Sequence, residues 1–320
     1  MKIVVTEPMM MSAEVKTALN RLGAVVYGPF DTQTLTDQLA DCDVLMVRLG
    51  LYIGETLFVH APKLRFVITA TTGLEHIDLE VARARGIRII SLRDCTEFIQ
   101  NVTATAEHSF GLLLSLVRHT PSAVAHVLNG GWNRNLFWGT QLSGKTLGII
   151  GHGRIGAMVA RYGGAIGMKV VACDTDSTKI VPPACRVSLE ELMETSDVVS
   201  VHVSATSENR YLIDRDLIFR MKPGAWLINT ARGSIVDNAA LADAVILKRL
   251  AGVAVDVLEG EEHGRIDDNP LLDCARNGGN VLITPHIGGA TVEAIALTEA
   301  AVVKQLCNIV VADNKIGESP

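Results

Sequence analysis

Short apolar, β-branched runs alternate with amphipathic stretches along almost the whole chain. Lys2–Thr6, Asp43–Arg48, Arg65–Thr69 and Ile87–Ser91 have the length and residue types of buried strands. Ser12–Leu22 carries a helical period and opens on a serine able to cap it, while Asp78–Arg85 is closed by Gly86. This βαβ rhythm predicts a parallel sheet covered by helices on both faces.

The rhythm breaks at the polar segment 92–100, LRDCTEFIQ. A long helix is then predicted from Asn101 to about Arg118, with Ala104, Phe110, Leu113, Leu114 and Val117 on or near one face. Segment 129–144 is rich in Gly, Asn and aromatics without a period and reads as an irregular connection. From Lys145 a second unit begins, with strands expected at Lys145–Ile150, Lys169–Cys173, Asp197–Val203, Ala225–Asn229, Ala251–Val257 and Asn280–Thr284. Six parallel strands with helices between them match a doubly wound dinucleotide-binding sheet. The Ala/Val-rich helical stretch Thr291–Ala312 can return to the first domain. The expected division is therefore residues 1–100 with 291–320 as one domain and 101–290 as the other.

Composition narrows the class. With 320 residues, 48% of them apolar, the chain has material for two cores. A net charge of −6 and the absence of a basic stripe argue against nucleic acid and anionic membranes as partners. MKIVVTEP is too short an apolar run for a secretory signal, and the densest apolar helical stretch, Ser109–Val117, is half the roughly 20 residues that span a bilayer. The six cysteines are scattered without metal-like spacing, so free thiols in a reducing cytoplasm and no metal site are expected.

Gly151-His152-Gly153-Arg154-Ile155-Gly156 is a G-x-G-x-x-G placed between a predicted strand and a predicted helix. Asp174 stands 23 residues after Gly151, at the end of the next strand. That context makes the sextet a dinucleotide fingerprint rather than a chance glycine-rich turn. Gly151 permits the tight turn, Gly153 lets a pyrophosphate approach, and Gly156 lets the helix pack on the strand. The helix N-terminus supplies N–H groups and partial positive charge. Asp174 can accept bonds from both ribose hydroxyls and repels a 2′-phosphate, which favours NAD over NADP.

Three further segments follow predicted strands: Asn229-Thr230-Ala231-Arg232-Gly233, Asp256-Val257-Leu258-Glu259-Gly260-Glu261, and Thr284-Pro285-His286-Ile287-Gly288-Gly289. In an open α/β sheet, such positions face the ligand crevice. Arg232 offers a planar fork to a carboxylate. A histidine with a carboxylate partner can donate and recover a proton near neutral pH. Each residue alone is as readily a solvated loop side chain, and the residues do not reveal which acid meets which base.

Taken together and in order, VRLG around Arg48, TTGLEHIDL (71–79), NVTATAEH (101–108), GKTLGIIGHGRIG (144–156), NTARGSIVD (229–237), AVDVLEGEE (254–262) and TPHIGGAT (284–291) resemble the D-isomer-specific 2-hydroxyacid dehydrogenase family over essentially the whole chain. The family includes D-3-phosphoglycerate, D-lactate, glycerate and formate dehydrogenases. The resemblance implies a Rossmann NAD-binding domain plus a flavodoxin-like substrate domain, two doubly wound parallel-sheet domains with a cleft between. It implies Arg232 as the carboxylate-binding residue, His286 as acid/base, and Glu261 as its partner, chosen over Glu259 and Glu262 for its spacing from Asp256. Gly151, Gly153, Arg154, Ile155, Gly156, Asp174, Thr230, Asp256 and Gly289 are the implied cofactor residues. Arg48, Thr72 and Gly73 are the implied substrate residues. The implied partners are a small 2-hydroxy or 2-keto acid and a second copy of the chain, with Trp132, Phe137 and Trp138 as interface candidates.

Departures limit what the resemblance says about substrate. The loop before Asn101 is longer than usual for the family, and Leu49, Gly50 and Leu51 follow Arg48 where phosphate-binding members often carry a second arginine. Ser204 replaces a common proline. An appended regulatory domain, and control by such a module, are not expected. The alternatives are an NAD-sensing interaction protein of corepressor type, which would retain partner binding without turnover, and a formate- or phosphite-type dehydrogenase.

Overall fold

A computed structural model describes residues 1–8, 11–95 and 97–317, without the side chains of Glu262 and residues 314–317. Thr96 within the long loop, Glu262 as an alternative acid, and residues 318–320 of the expected first domain therefore lie outside the described residues. The chain runs β1 (Lys2–Val5), α1 (Ala13–Leu22), β2 (Ala24–Tyr27), α2 (Thr32–Leu39), β3 (Val44–Val47), α3 (Glu55–Phe58), β4 (Phe66–Thr69), α4 (Leu79–Ala84) and β5 (Arg88–Ile90). It continues α5 (Ala104–Val117), α6 (Thr120–Leu128), β6 (Thr146–Ile150), α7 (Arg154–Ala165), β7 (Lys169–Cys173), β8 (Ala184–Arg186), α8 (Leu189–Thr195) and β9 (Val198–Val201). The last elements are α9 (Arg215–Arg220), β10 (Ala225–Asn229), α10 (Asn238–Ile246), β11 (Leu250–Val255), α11 (Pro270–Arg276), β12 (Val281–Ile283) and α12 (Val292–Gly317).

Two compact units result, residues 1–102 with 290–320 and residues 103–289. In the first, the sheet order β2-β1-β3-β4-β5 is the flavodoxin-like order, with all pairs parallel. In the second, β8-β7-β6-β9-β10-β11-β12 is the dinucleotide-binding order extended by one edge strand. Six strands were expected there, and seven form. The addition is β8, three residues with no apolar period, which exists because β7 offers it a parallel ladder. The edge strand β2 is a similar case. Its short AVVY follows Gly23 and pairs in register with β1.

The second sheet explains its own sequence. Along β10, Ala225 and Leu227 point into one core with Val199, Val253 and Leu241, while Trp226 and Ile228 point into the other with Leu147, Leu113 and Val159. Both faces are dry, so the strand is apolar throughout rather than alternating. Each fully buried Leu or Ile contributes about 1.5–3 kcal/mol. The predicted helix from Asn101 starts later, at Ala104, and stops at Val117. His119 then takes a left-handed φ of 52°, and α6 restarts with Pro121 in its first turn.

In the first unit, Val4, Leu45, Val47, Phe58 and Val67 lie in one core. By length and composition alone, Val292–Asp313 of α12 is apolar enough to cross a membrane, a property the pattern above passed over. Here it is a core helix instead. Ala301, Val302 and Leu306 are buried, and the helix packs on α1 and β4. Its fully buried Glu299 pairs with Arg48 at the end of β3, Nη1 to Oε1 at 3.0 Å. The other Glu299 oxygen is buried without a hydrogen-bond partner. Arg48 thus serves as the counter-charge of the helix, besides any contact with a substrate.

Burial pushes the Glu299 carboxyl above its ordinary 4.5, and Arg48 pulls it back. The folded chain therefore holds this proton more tightly than the unfolded chain. Its contribution is full below the ordinary value and is lost as pH rises through the folded one. Arg48→Met, which strands the buried charge, should cost about 3 kcal/mol or more in urea unfolding near neutral pH, and Arg48→Met/Glu299→Met should recover most of it. The single-variant deficit should shrink at about pH 5 relative to about pH 8. An equal deficit at both values would argue against a charge origin.

Candidate active site

The phosphate turn leaves β6 at Gly151, whose φ is +89° and whose N–H donates to Cys173 O at 2.8 Å. A Cβ there would meet the Val203 side chain at 2.7 Å and the His202 carbonyl carbon at 2.9 Å, so the position requires glycine. Gly156 fills the packing role, since a Cβ would stand 2.0 Å from Gly151 O. At Gly153, the N-cap of α7, a Cβ would meet nothing within 4 Å, and no side chain caps the helix. A helix N-terminus without a side-chain cap, entered through a glycine, is the arrangement that receives a phosphate. Arg154 and Ile155 form the first turn and are half-buried, and burial lowers the Arg154 guanidinium from its ordinary value. Asp174 at the end of β7 accepts the backbone N–H of His152 at 2.7 Å and that of Asp176 at 2.9 Å. Each carboxylate oxygen accepts one of these bonds and keeps lone-pair capacity. These residues fit a dinucleotide.

The catalytic candidates follow neighbouring strands. In the spatial order β12, β11, β10, β9, β6, β7, the carboxyl ends lead to His286, Asp256 and Glu261, Arg232, His202, Gly151, and Asp174. Five inter-strand spacings make this row about 24 Å long. A single edge thus carries the proton-transfer candidates at one end and the ribose acid at the other.

His286 Nδ1 lies 2.6 Å from Glu261 Oε1. Glu261 is itself held, its Oε2 accepting the Leu258 N–H at 3.0 Å. A carboxylate only accepts, so Nδ1 carries the proton and Nε2 is the ring nitrogen left for exchange. His286 has a left-handed φ of 53°, strained for a residue with a Cβ.

Asp256 imposes that conformation. Its carboxylate, almost wholly buried, accepts N–H bonds from Ile287 at 2.9 Å and Gly288 at 2.7 Å and the Thr284 hydroxyl at 2.6 Å. The His108 Nε2 stands 3.2 Å from the same carboxylate and 3.0 Å from Thr284 Oγ1. The Asp256 carbonyl also accepts the His286 N–H at 2.9 Å. Grouped above with the cofactor residues, Asp256 spends its carboxylate inside the unit, as the post on which the histidine loop hangs. Thr230 is similar. It is buried, with Oγ1 2.6 Å from Ser109 Oγ, and because the Ser109 hydroxyl donates to Thr105 O, Thr230 is the donor.

Arg232 follows β10 and is half-buried, with Nη1 donating to Ala231 O at 2.6 Å. Asn229 shapes this turn, accepting from Ala231 N and donating to Arg232 O. Gly289 is exposed, with open space where a Cβ would stand. Thr72 and Gly73 belong to the first unit, in a turn bound by the Thr71 hydroxyl to Gly73 O at 2.7 Å. The long loop contributes Arg93, whose Nε donates to Thr72 O at 2.8 Å. His108, Asn229, Thr284 and Arg93 received no role from the sequence. Polar residues on the apolar helix α5 and at strand ends were the available signal.

Residues 110–288 match the family described as D-isomer specific 2-hydroxyacid dehydrogenase, NAD binding domain. The chain is 36% identical over 276 residues to the D-3-phosphoglycerate dehydrogenase of Mycobacterium bovis, covering 84% of this chain and 49% of that protein. It is 34% identical to the hydroxypyruvate reductase of Thermotoga maritima, covering 80% of this chain and 81% of that one. The chain spans about half the length of the phosphoglycerate dehydrogenases it matches. Among solved structures, the D-lactate dehydrogenase of Aquifex aeolicus complexed with NAD and lactic acid superimposes with a TM-score of 0.82 at 29% identity, covering 98% of this chain and 97% of that one.

Asp256→Ala leaves two backbone N–H groups and a hydroxyl without their acceptor. Chemical denaturation should show a loss of about 3 kcal/mol or more. Hydrogen exchange at Ile287 and Gly288 should accelerate. Unchanged exchange there would show that the loop does not depend on this carboxylate.

Proposed function

Because the chain belongs to the D-isomer-specific 2-hydroxyacid dehydrogenase family, we propose that it interconverts a D-2-hydroxy acid and its 2-keto acid with NAD. The observation that carries this reading is the 2.6 Å bond between His286 Nδ1 and Glu261 Oε1, which assigns Nε2 to proton exchange. The bound nicotinamide supplies or accepts the hydride.

In the reducing direction, Arg232 binds the substrate carboxylate and polarises the neighbouring keto oxygen. His286 Nε2 donates a proton to that oxygen as the carbonyl carbon gains hydride, so C=O becomes CH–OH. In the oxidising direction the same nitrogen removes the hydroxyl proton. Glu261 balances the imidazolium and holds the ring so that only Nε2 turns over its proton. Asp174 receives the ribose hydroxyls, and the α7 N-terminus receives the phosphates. Thr72, Gly73 and Arg48 are the proposed substrate contacts from the first unit.

The proposed protein partner is a second copy of this chain. Leu128, Trp132 and Trp138 are 81%, 90% and 79% exposed, and Leu128 lines a groove with Leu114, Val124 and Val127. An apolar face of this kind is unusual for a monomer surface. Light scattering should give twice the chain mass for the wild type and a monomer for Leu128→Asp/Trp132→Asp.

Turnover is tested with NADH against pyruvate, hydroxypyruvate and phosphohydroxypyruvate, and with NAD against formate and phosphite. Reduction of at least one keto acid is expected. His286→Ala should lower kcat by about 10²- to 10⁴-fold. Arg232→Lys, which keeps charge but loses the fork, should lower kcat/KM. Tight NAD binding without turnover of any keto acid would sink the reading, and activity confined to formate or phosphite would redirect it.

A further inference from the structure

We propose that His152 is a positioning residue for cofactor selection, its imidazole clamping the segment Asp174–Lys179 to the phosphate turn and so aiming the Asp174 carboxylate at the ribose. This rests on the NAD-linked reading above and assigns a role to a residue that the mechanism does not use.

His152 stands between the two turn glycines and is 2% exposed. Its ring Nδ1 lies 2.9 Å from Lys179 O. A carbonyl only accepts, so Nδ1 bears the proton, and Nε2 is left as a buried acceptor without a partner. Leaving that nitrogen buried and unsatisfied costs stability, a cost an apolar side chain of similar volume would not incur. What the imidazole provides, and an apolar group would not, is the bond to Lys179.

That bond closes a loop. Thr175, Asp176, Thr178 and Lys179 are exposed, and the side-chain bonds within the segment are local, Asp174 to Asp176 N and Asp176 to Thr178 N. Two hydrogen bonds from His152 tie this segment to the phosphate turn. The backbone N–H goes to Asp174 Oδ2 at 2.7 Å, and the ring goes to Lys179 O. A single residue therefore grips both ends of the segment. The backbone N–H of His152 holds Oδ2 and that of Asp176 holds Oδ1, and the ring bond to Lys179 O fixes the segment that carries Asp176.

The neighbouring ring stays uncharged. His202, half-buried by surface area yet enclosed by surrounding atoms, has Nε2 2.8 Å from Ser200 Oγ. Burial, and secondarily His152, push it down to about 3. The clamp thus operates beside a neutral ring, and no cation there attracts a 2′-phosphate.

A well-aimed Asp174 strengthens NAD by accepting from the ribose hydroxyls and excludes NADP by meeting its 2′-phosphate. A loosened one does both less well. Isothermal titration of the full chain with NAD and with NADP tests this on wild type, His152→Leu and His152→Asn. The asparagine amide nitrogen falls near the position of Nδ1 and can keep the bond to Lys179 O, while leucine cannot donate. His152→Leu should bind NAD about tenfold more weakly, and the NADP-to-NAD ratio of dissociation constants should fall about fivefold or more. His152→Asn should stay within about threefold of wild type. In turnover, the loss should appear in KM for the cofactor rather than in kcat. His152→Phe, which keeps the ring volume, replaces the leucine variant if that one does not fold. Unchanged discrimination in the donor-less variant, or asparagine behaving like leucine, overturns the clamp. Wild-type protein that fails to bind NAD overturns the functional reading itself.

Discussion

The Asp256 carboxylate accepts hydrogen bonds from the backbone of Ile287 and Gly288 and from the hydroxyl of Thr284. Those bonds make a left-handed His286 tolerable, because the strain is small beside the cost of leaving the buried donors unpaired. Gly288 belongs to the same device, since a Cβ there would crowd Asp256 Oδ2 at 2.9 Å. With the loop so held, the imidazole meets Glu261, itself fixed by the Leu258 N–H. The proton chemistry proposed at Nε2 therefore depends on an acid that need not touch the reacting atoms.

The second constraint is the parallel sheet. Parallel strands all end on the same edge, and His286, Asp256, Glu261, Arg232 and Asp174 each follow one of them. Apolar side chains on both faces of β10 and its neighbours keep that edge rigid. Turns of three or four residues, Gly151–Gly153 and Asn229–Arg232, then suffice to aim side chains. The first unit solves a different problem with the same architecture. Its long apolar helix α12 carries a buried acid, Glu299, and Arg48 balances it.

The periods of two and of 3.6 residues specified the central strands and most helices, since those elements bury apolar side chains at regular intervals. The glycine spacing likewise identified the phosphate turn, because backbone geometry there excludes a Cβ whatever the surroundings. The edge strands β2 and β8 were not legible. They are defined by the ladder a neighbour offers, and their own residues carry too little pattern. Nor was α6, which restarts beyond Arg118 and the left-handed His119.

Chemical types in the site, a guanidinium, carboxylates and an imidazole after successive strands, are properties of the linear chain. Which of them touch is not, because a hydrogen bond is decided by ångström distances between residues far apart in order. The resemblance named Glu261 as the partner of His286, and the folded arrangement supplies the contacts themselves: Glu261 meets the imidazole and Asp256, five positions before it, holds the loop. That arrangement also turned Arg48 toward Glu299 and gave His152 its grip on Lys179, pairings across 251 and 27 residues that no local pattern encodes.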